Sequence, residues 1–302
     1  MKGYGHPIYA NSFAEFGTPL QLSNCGGWIL KRRIPGRPNY DGMGCYPLFS
    51  CQDWSQLASD LDALSEQLVT LTIVADPFGR HDVELLRRCF PELVIPFKEH
   101  LVVDLASNFN AAISKNHRRN ARRALQKICV EVSSDPNRLL DDWCTLYSHL
   151  IDRHRIRGIS AFSRLVFEHQ FRVPGLVAFR AESGAATVGM LLWYVQGNVG
   201  YYHLGACNPA GYEVKALFGL FSTAIEYFAA NGLHWLNLGA GPGTKNETQA
   251  GLKRFKEGWA NDKRTAYFCG RIFDHAKYQE MSGAFSSLSM DYFPAYRQGE
   301  FS

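Results

Sequence analysis

Apolar and polar positions along this chain repeat with two periods, and the switches between them mark out its elements. In residues 177–182, 187–196 and 199–207 the apolar residues alternate or run together over strand lengths. Ser-Gly and Gly-Asn pairs separate these segments, so they predict an antiparallel meander closed by tight turns. Val214, Leu217, Phe218, Phe221, Ile225 and Phe228 then fall at helical spacing, which predicts a long helix over residues 213–230, stopped by Asn231 and Gly232. A buried strand over residues 233–238 opens into a glycine-rich turn at Gly239, Gly241 and Gly243. Asn246 and Gln249 are spaced as a helix-capping pair, and the helix they predict runs from near Glu247 to Gly258. Residues 264–273 predict a last strand, and the aromatic tail from about Lys277 an appendage.

Upstream, residues before about Pro19 carry no strong periodicity, and residues 28–33 read as a strand. The Pro- and Gly-rich run over residues 34–44 predicts an irregular loop, long enough to line a site. Trp54, Leu57, Leu61, Leu64 and Leu68 give a helical stripe ahead of a strand at residues 69–75. Val83, Leu86 and Phe90 mark a short helix, and extended segments at 93–96 and 100–105 close a first α/β half. Residues 109–127 predict one helix with an apolar line of Phe109, Ile113, Ala121 and Leu125. Lys115, Arg118, Arg119, Arg122, Arg123 and Lys127 crowd the rest of it with almost no acidic neighbour. That surface is either a solvated face or one turned to an anion, for which arginine's planar fork suits phosphate. Without interleaved aromatics it does not read as a nucleic-acid stacking surface. A strand at 128–132 and helices around residues 140–151 and 162–171 lead into the meander.

Composition narrows the picture. A chain of 302 residues can hold one large or two ordinary cores, and a formal charge of +4 is too mild for a general DNA-binding protein while leaving room for a local anion site. The eight cysteines form no CxxC pair and the ten histidines no zinc-binding spacing, so free thiols in a reducing cytosol and no metal are expected. The N-terminus has no apolar signal core, and the longest apolar stretch, near residues 188–195, is far short of a membrane span. An untargeted cytoplasmic protein is the expectation, with its oligomeric state open.

Within the helix after the glycine turn, Leu252, Phe255 and Trp259 share one face, and Lys256 falls inside the same arc while Lys253 and Arg254 point away. Lys256 either snorkels past apolar neighbours to water or serves a site. The order helix, helix, three antiparallel strands, long helix, strand, helix, strand resembles that of the acetyltransferase fold of the GNAT superfamily. Residues 117–127, residues 200–239 and the run Arg254, Phe255, Lys256, Glu257, Gly258, Trp259 together resemble the FemABX-like branch of that superfamily, which includes peptidoglycan aminoacyltransferases. The resemblance covers about residues 40–273. It implies a mixed α/β (α+β) fold of two tandem GNAT-like halves with largely antiparallel sheets: a degenerate half over residues 1–105, a catalytic half over 106–275 and an appendage over 276–302.

The activity implied is transfer of an acetyl or aminoacyl group from acyl-CoA or aminoacyl-tRNA to a small-molecule or peptide amine, with no tightly bound cofactor. The Phe255-Lys256-x-Gly258-Trp259 element matches the family's, and Arg118, Arg122, Asn237, Gly239 and Gly241 correspond to its donor-binding segments. One departure concerns the donor: GNAT enzymes that use acetyl-CoA carry a Q/RxxGxG/A loop before the long helix, whereas residues 208–216 here contain only Gly211. Acyl transfer also needs stabilisation of an oxyanion and removal of a proton. Lys256 is the candidate for the first, a role typically worth roughly 3–4 kcal/mol. Strand alternation favours Tyr201 and His203 as the polar pair facing the site. Glu213, read as a helix start, serves as base or complements the helix dipole. Tyr40 and Asp41 are candidate acceptor contacts. The other reading is a catalytically inactive GNAT-like scaffold or partner-binding protein.

Overall fold

The computed structural model describes residues 1–240, 247–283 and 292–300. In chain order the elements are α1 (Pro7–Asn11), β1 (Thr18–Leu22), β2 (Gly27–Arg33), β3 (Tyr40–Gly44), α2 (Leu57–Asp62), β4 (Thr70–Val74), α3 (Val83–Cys89) and β5 (Leu93–Asp104). They continue with α4 (Phe109–Ala112), α5 (Lys115–Leu125), β6 (Cys129–Val132), α6 (Leu140–His154), α7 (Arg164–Gln170), β7 (Leu176–Ser183), β8 (Ala186–Gln196) and β9 (Val199–Cys207). The last are α8 (Pro209–Glu213), α9 (Ala216–Ala230), β10 (Trp235–Asn237), α10 (Glu247–Glu257), β11 (Asp262–Ile272) and α11 (His275–Ser282). Among the described residues no helix is long and apolar enough to cross a membrane.

The chain forms two compact units, leaving the first within β5 between Phe97 and Lys98 and returning to it within β11 between Thr265 and Ala266. In the second unit the sheet order is β5-β10-β9-β8-β7-β6. The meander β7-β8-β9 is where the sequence predicts it, because Gly184 and Gly197 supply the positive φ of its turns (64° and 57°). Strand β8 is buried on both faces, which is why residues 188–194 run apolar without alternating. On one face, Phe179, Leu191 and Trp193 pack with Ala124 of α5 and with Leu220, Phe221, Ile225 and Phe228 of α9. On the other, Tyr194 donates through its hydroxyl to the Gln170 carbonyl (2.9 Å) at the end of α7. Trp143, Tyr147, Phe162 and Phe167 make edge-to-face contacts beneath it.

Two predicted helices break. Residues 109–127 divide at Ile113 and Ser114, where the Ser114 hydroxyl caps α5 by accepting from the His117 backbone N–H. The long helix predicted from residue 213 instead begins at Ala216, because Lys215 adopts a left-handed backbone (φ 59°, ψ 41°). Gly211, just before this break, is a packing glycine: a Cβ there would lie 2.0 Å from the Val188 carbonyl oxygen.

The first unit has the order β1-β2-β3-β4-β11, antiparallel except for the parallel pair β3–β4. Helices α2 and α3 cover it through Leu57, Leu61 and Leu86, over Ile29, Leu71, Ile73 and Cys269. Two segments read as irregular are ordered here. Residues before Pro19 contain α1, held by Tyr9 donating to the Tyr46 carbonyl (2.7 Å), and the Gly- and Asp-containing end of the predicted loop is strand β3. Pairing with neighbours on both sides overrides its poor strand propensity.

The division also differs from the sequence-based one at the C-terminus, since β11 pairs with β4 and residues 292–300 return to the first unit. The tail docks by an ion pair: Arg297 grips Asp41 bidentately (2.7 and 2.9 Å) and also donates to the Arg33 carbonyl (2.8 Å). Asp41 is therefore a structural partner, only 3% exposed, and not the acceptor contact expected of it. Burial raises its pKa more than Arg297 lowers it, so the carboxylate depends on this guanidinium. Arg297→Met should lower the unfolding free energy by about 3–5 kcal/mol at neutral pH by stranding that carboxylate. Adding Asp41→Asn should recover part of the loss, as read from urea unfolding midpoints.

Candidate active site

The site grows from a divergence of two strands in the second unit. Strands β9 and β10 pair in parallel only through Val199↔Trp235, Gly200↔Leu236 and Tyr201↔Asn237, and β9 then runs on to Cys207 without β10. The chain after β10 stays with β5 instead: Leu238 N–H donates to Leu101 C=O (2.9 Å) and Leu101 N–H to Gly239 C=O (3.2 Å). A wedge opens between the strands just beyond Tyr201 and Asn237.

Lys256 of α10 reaches into this wedge. Its Nζ donates to the Ala240 carbonyl (2.8 Å), lies 5.4 Å from the centre of the Tyr202 ring, and is only 5% exposed. The side chain does not snorkel. Desolvation, with a smaller push from the cation of Lys98, lowers its pKa from 10.5 to about 7. Gly239, at φ +71°, lets the chain turn here without a side chain; a Cβ would stand 3.5 Å from Nζ.

The predicted neighbours are placed unevenly. Tyr201 pairs across the ladder with Tyr194 and shares its face, the side of α7. A bulge at His203 keeps that imidazole on the same side, stacked on Phe162 and bonded through Nε2 to Gln170 Oε1 (3.0 Å). Burial holds the His203 pKa at about 3. The expected Tyr201–His203 pair therefore lies across the sheet from Lys256, and Tyr202 is the aromatic beside it. Alternation along β9 separates the two tyrosines correctly, but helices cover both faces and pattern alone cannot choose between them.

Glu213 is exposed and ends α8, so it neither starts a helix nor meets the wedge. Asn237 and Gly239 line the turn, with Asn237 Oδ1 accepting from Gly239 N–H (2.8 Å). Gly241 lies outside the described residues, as does Asn246 of the predicted capping pair. Arg118 and Arg122 are exposed on α5, and Arg118 also donates to the Asn110 carbonyl (2.8 Å). Tyr40 is exposed in the first unit, with Lys31 Nζ 4.9 Å from its ring centre. Among the described residues no group of acidic, histidine and cysteine side chains could hold a metal.

Two residues were not singled out by sequence reasoning. His100 of β5 bonds through Nδ1 to Asn237 Oδ1 (3.0 Å), and its burial, offset in part by that bond, lowers its pKa to about 4. His117 of α5 lies under the end of α10. Because a carbonyl only accepts, its Nε2 carries the proton and donates to Phe255 C=O (2.9 Å), one of the carbonyls a helix end leaves free. Its Nδ1 then accepts from the Ser114 hydroxyl (2.7 Å). Gly258 makes room for this ring, since a Cβ there would be 2.1 Å from it. Trp259 packs edge-on to His117 (5.0 Å) and stacks on Phe221 (6.0 Å). The Phe255-Lys256-x-Gly258-Trp259 element is thus a clamp that fixes the roll of α10 and with it the direction of Lys256. A histidine at the start of the basic helix was the available signal.

The start of α9 offers little to a diphosphate. Lys215 N–H bonds to Tyr212 C=O (3.1 Å) and Phe218 N–H to Lys215 C=O (3.0 Å), while Leu217 N–H meets the Cys207 sulfur. The Lys215 ammonium is directed to Asn120 Oδ1 (3.1 Å).

Residues 111–257 match the family model for the acetyltransferase (GNAT) domain. No curated protein sequence matches the chain. Among solved structures it is similar to FemX, at 14% identity with a TM-score of 0.68, covering 91% of this chain and 93% of that one. It is also similar to the C-terminal domain of a protein assigned as a lysylphosphatidylglycerol synthetase of Agrobacterium fabrum (13% identity, TM-score 0.59, 92% and 89% covered). A third is L-PGS of Bacillus licheniformis (16% identity, TM-score 0.58, 88% and 92% covered). The chain carries a GNAT domain within a mixed α/β fold shared with FemX, the fold expected of the FemABX-like branch.

The depressed pKa of Lys256 gives stability a defined pH dependence. Between about pH 7 and 10.5 the unfolded chain holds a proton on this amine that the folded chain has lost, so its contribution to stability rises with pH across that window and is least below it. Lys256→Met, which does not titrate, should be more stable than the parent at pH 6–7 by about 4 kcal/mol and should lose most of that advantage by about pH 10. Denaturant unfolding at four pH values checks this, and a pH-independent difference would contradict it.

Proposed function

We propose that this chain, whose residues 111–257 form a GNAT domain in a FemX-like fold, is an acyltransferase that moves an aminoacyl group from aminoacyl-tRNA to an amine. The observation that carries the reading is the buried Lys256 ammonium, held by the Ala240 carbonyl where β9 and β10 part. A donor carbonyl inserted into this wedge meets a cation in a water-poor site. When the acceptor nitrogen attacks, negative charge grows on that oxygen, and Lys256 stabilises it more than it stabilises the ground state. The carbon–oxygen bond to the tRNA ribose then breaks, and the proton lost by the acceptor nitrogen passes to the departing ribose oxygen, which leaves as a hydroxyl. Tyr202 walls the site with its phenol kept protonated, since burial raises its pKa.

Two features support this donor class. The start of α9, where the Lys215, Leu217 and Phe218 N–H groups are bonded internally, is poorly suited to grip the diphosphate of CoA. The exposed arginines of α5, Arg118 and Arg122 among them, suit a donor with many phosphates. The lysylphosphatidylglycerol synthetase similar in fold joins, by its name, a lysyl group to a lipid, which is also aminoacyl chemistry.

The test is transfer of radiolabelled amino acid from a mixed aminoacyl-tRNA pool to a panel of amines, run beside acetyl-CoA. Label should leave tRNA with the parent protein. Transfer from acetyl-CoA alone would overturn the donor, and no transfer from either would favour an inactive scaffold. Lys256→Met should lower kcat about 100- to 1000-fold with little change in KM. Lys253→Met, whose amine faces Glu257 on the outer side of α10, should be silent.

Replacing Arg118 and Arg122 together by Gln should raise the KM for aminoacyl-tRNA and flatten its dependence on salt, because fewer phosphate contacts then release counterions. An unchanged salt slope would return these arginines to the solvated surface.

A further inference from the structure

We propose that His100 is a positioning residue for Lys256: its Nδ1–H, acting through the Asn237 amide, locks the turn at Gly239 and Ala240 whose carbonyl holds the lysine's ammonium. The inference rests on the reading of Lys256 as the working cation and deepens it.

The hydrogen bonds fix the direction of the relay. Gly239 N–H can only donate, so the Asn237 atom it meets at 2.8 Å is the amide oxygen. The same oxygen lies 3.0 Å from His100 Nδ1, and because it cannot donate, Nδ1 carries the proton. A neutral imidazole protonated at Nδ1 has an unprotonated Nε2, so this ring exists in one tautomer with its donor aimed at Asn237. Burial and the nearby cations of Lys256 and Lys98 keep it neutral at ordinary pH. One residue on, Leu101 holds the same turn from both sides, accepting from Leu238 N–H and donating to Gly239 C=O. Strand β5 therefore supplies three ties to a turn with a left-handed glycine, and Ala240, the next residue, presents its carbonyl to Nζ at 2.8 Å.

Among the described residues, the groups facing the ammonium are few. Lys98 and His100 approach from β5 and Tyr202 from β9, while on α10 itself Glu257 turns outward to Lys253 (3.8 Å). No carboxylate among these neighbours compensates the charge. The Ala240 carbonyl is thus the group that sets where Nζ sits and how much water reaches it, and the Asn237–His100 pair is what keeps that carbonyl in place.

A role of this kind is separable from bulk packing because the two histidine isosteres differ in where they place a donor. Asparagine sets its amide nitrogen near the position of Nδ1 and keeps the bond to Asn237; glutamine sets it near Nε2 and loses that bond while remaining polar. The readout is the titration of Lys256 itself, measured on the purified full chain by competitive labelling with 1-fluoro-2,4-dinitrobenzene across pH 5–11 and peptide mass spectrometry, with Lys253 as internal reference. In His100→Gln the Lys256 midpoint should move up, toward an ordinary lysine, by at least a threefold change in proton concentration as water gains access to Nζ. Asn237→Ala, which cuts the relay at its other end, should give the same shift, and His100→Asn should stay near the parent. Parent-like midpoints in both His100→Gln and Asn237→Ala would overturn the proposal, as would a shift in His100→Asn as large as in His100→Gln. The labelling does not depend on turnover, so it is distinct from the fate of the catalytic reading, which falls only if Lys256→Met transfers acyl groups at the parent rate.

Discussion

The second unit depends on a choice made by the chain after Asn237: whether to stay with β9 or with β5. It stays with β5, and the ladder with β9 ends. A parallel pair that comes apart while both strands remain ordered leaves backbone and side chains facing a gap instead of each other. Burial of a cation in such a gap is unfavourable unless a dipole compensates it, and the turn beyond β10 places the Ala240 carbonyl there. The outcome is an amine whose ammonium form is weakly held and poorly hydrated. Those properties strengthen its interaction with any negative charge that develops beside it.

The rest of the unit holds that arrangement rigid. Helix α10 ends on His117, whose proton satisfies the Phe255 carbonyl, and Gly258 leaves space for the ring. Trp259 then locks against α5 and α9. A one-residue change in the roll of α10 would rotate Lys256 by about 100° and carry its ammonium out of the wedge. Opposite, the both-sided burial of β8 fixes the meander, since a one-residue slip in register would exchange the residues packed against α9 with those packed against α7. The precision of the site is thus inherited from aromatic packing well away from the reacting position.

The first unit solves a different problem. Its sheet incorporates a segment from the end of the chain, and the tail beyond is pinned by Arg297 on Asp41 with Tyr296 bonded to Thr70 (2.7 Å). A buried carboxylate and guanidinium are costly to desolvate, and the pair is retained where both have further hydrogen bonds. Asp41 looked like a binding residue because an acid in a Gly- and Pro-rich run resembles a site loop. Its partner stands 256 residues away in sequence, beyond the reach of any local pattern.

Local patterns determined a good deal. Two periods of hydrophobicity, read with Gly-containing turns, defined the three meander strands, the apolar face of α9 and the inward arc of α10 that contains Lys256, because each is a property of residues within one or two turns of each other. The same patterns separated Tyr201 from Tyr202 onto opposite faces. What they lacked was the identity of each face, since helices cover both, and the left-handed Lys215 that ends α8 and moves Glu213 away from a helix start. Leu252 was counted on the packed arc, yet it is 38% exposed, because the extent of an arc is set by what packs against it. The parting of β9 from β10, the His100–Asn237 bond across 137 residues and the His117 cap on α10 belong to the tertiary structure alone. They arise from unsatisfied donors and acceptors that find partners only once distant segments are folded together, so the chemistry of this site is written in pairings that no stretch of sequence contains by itself.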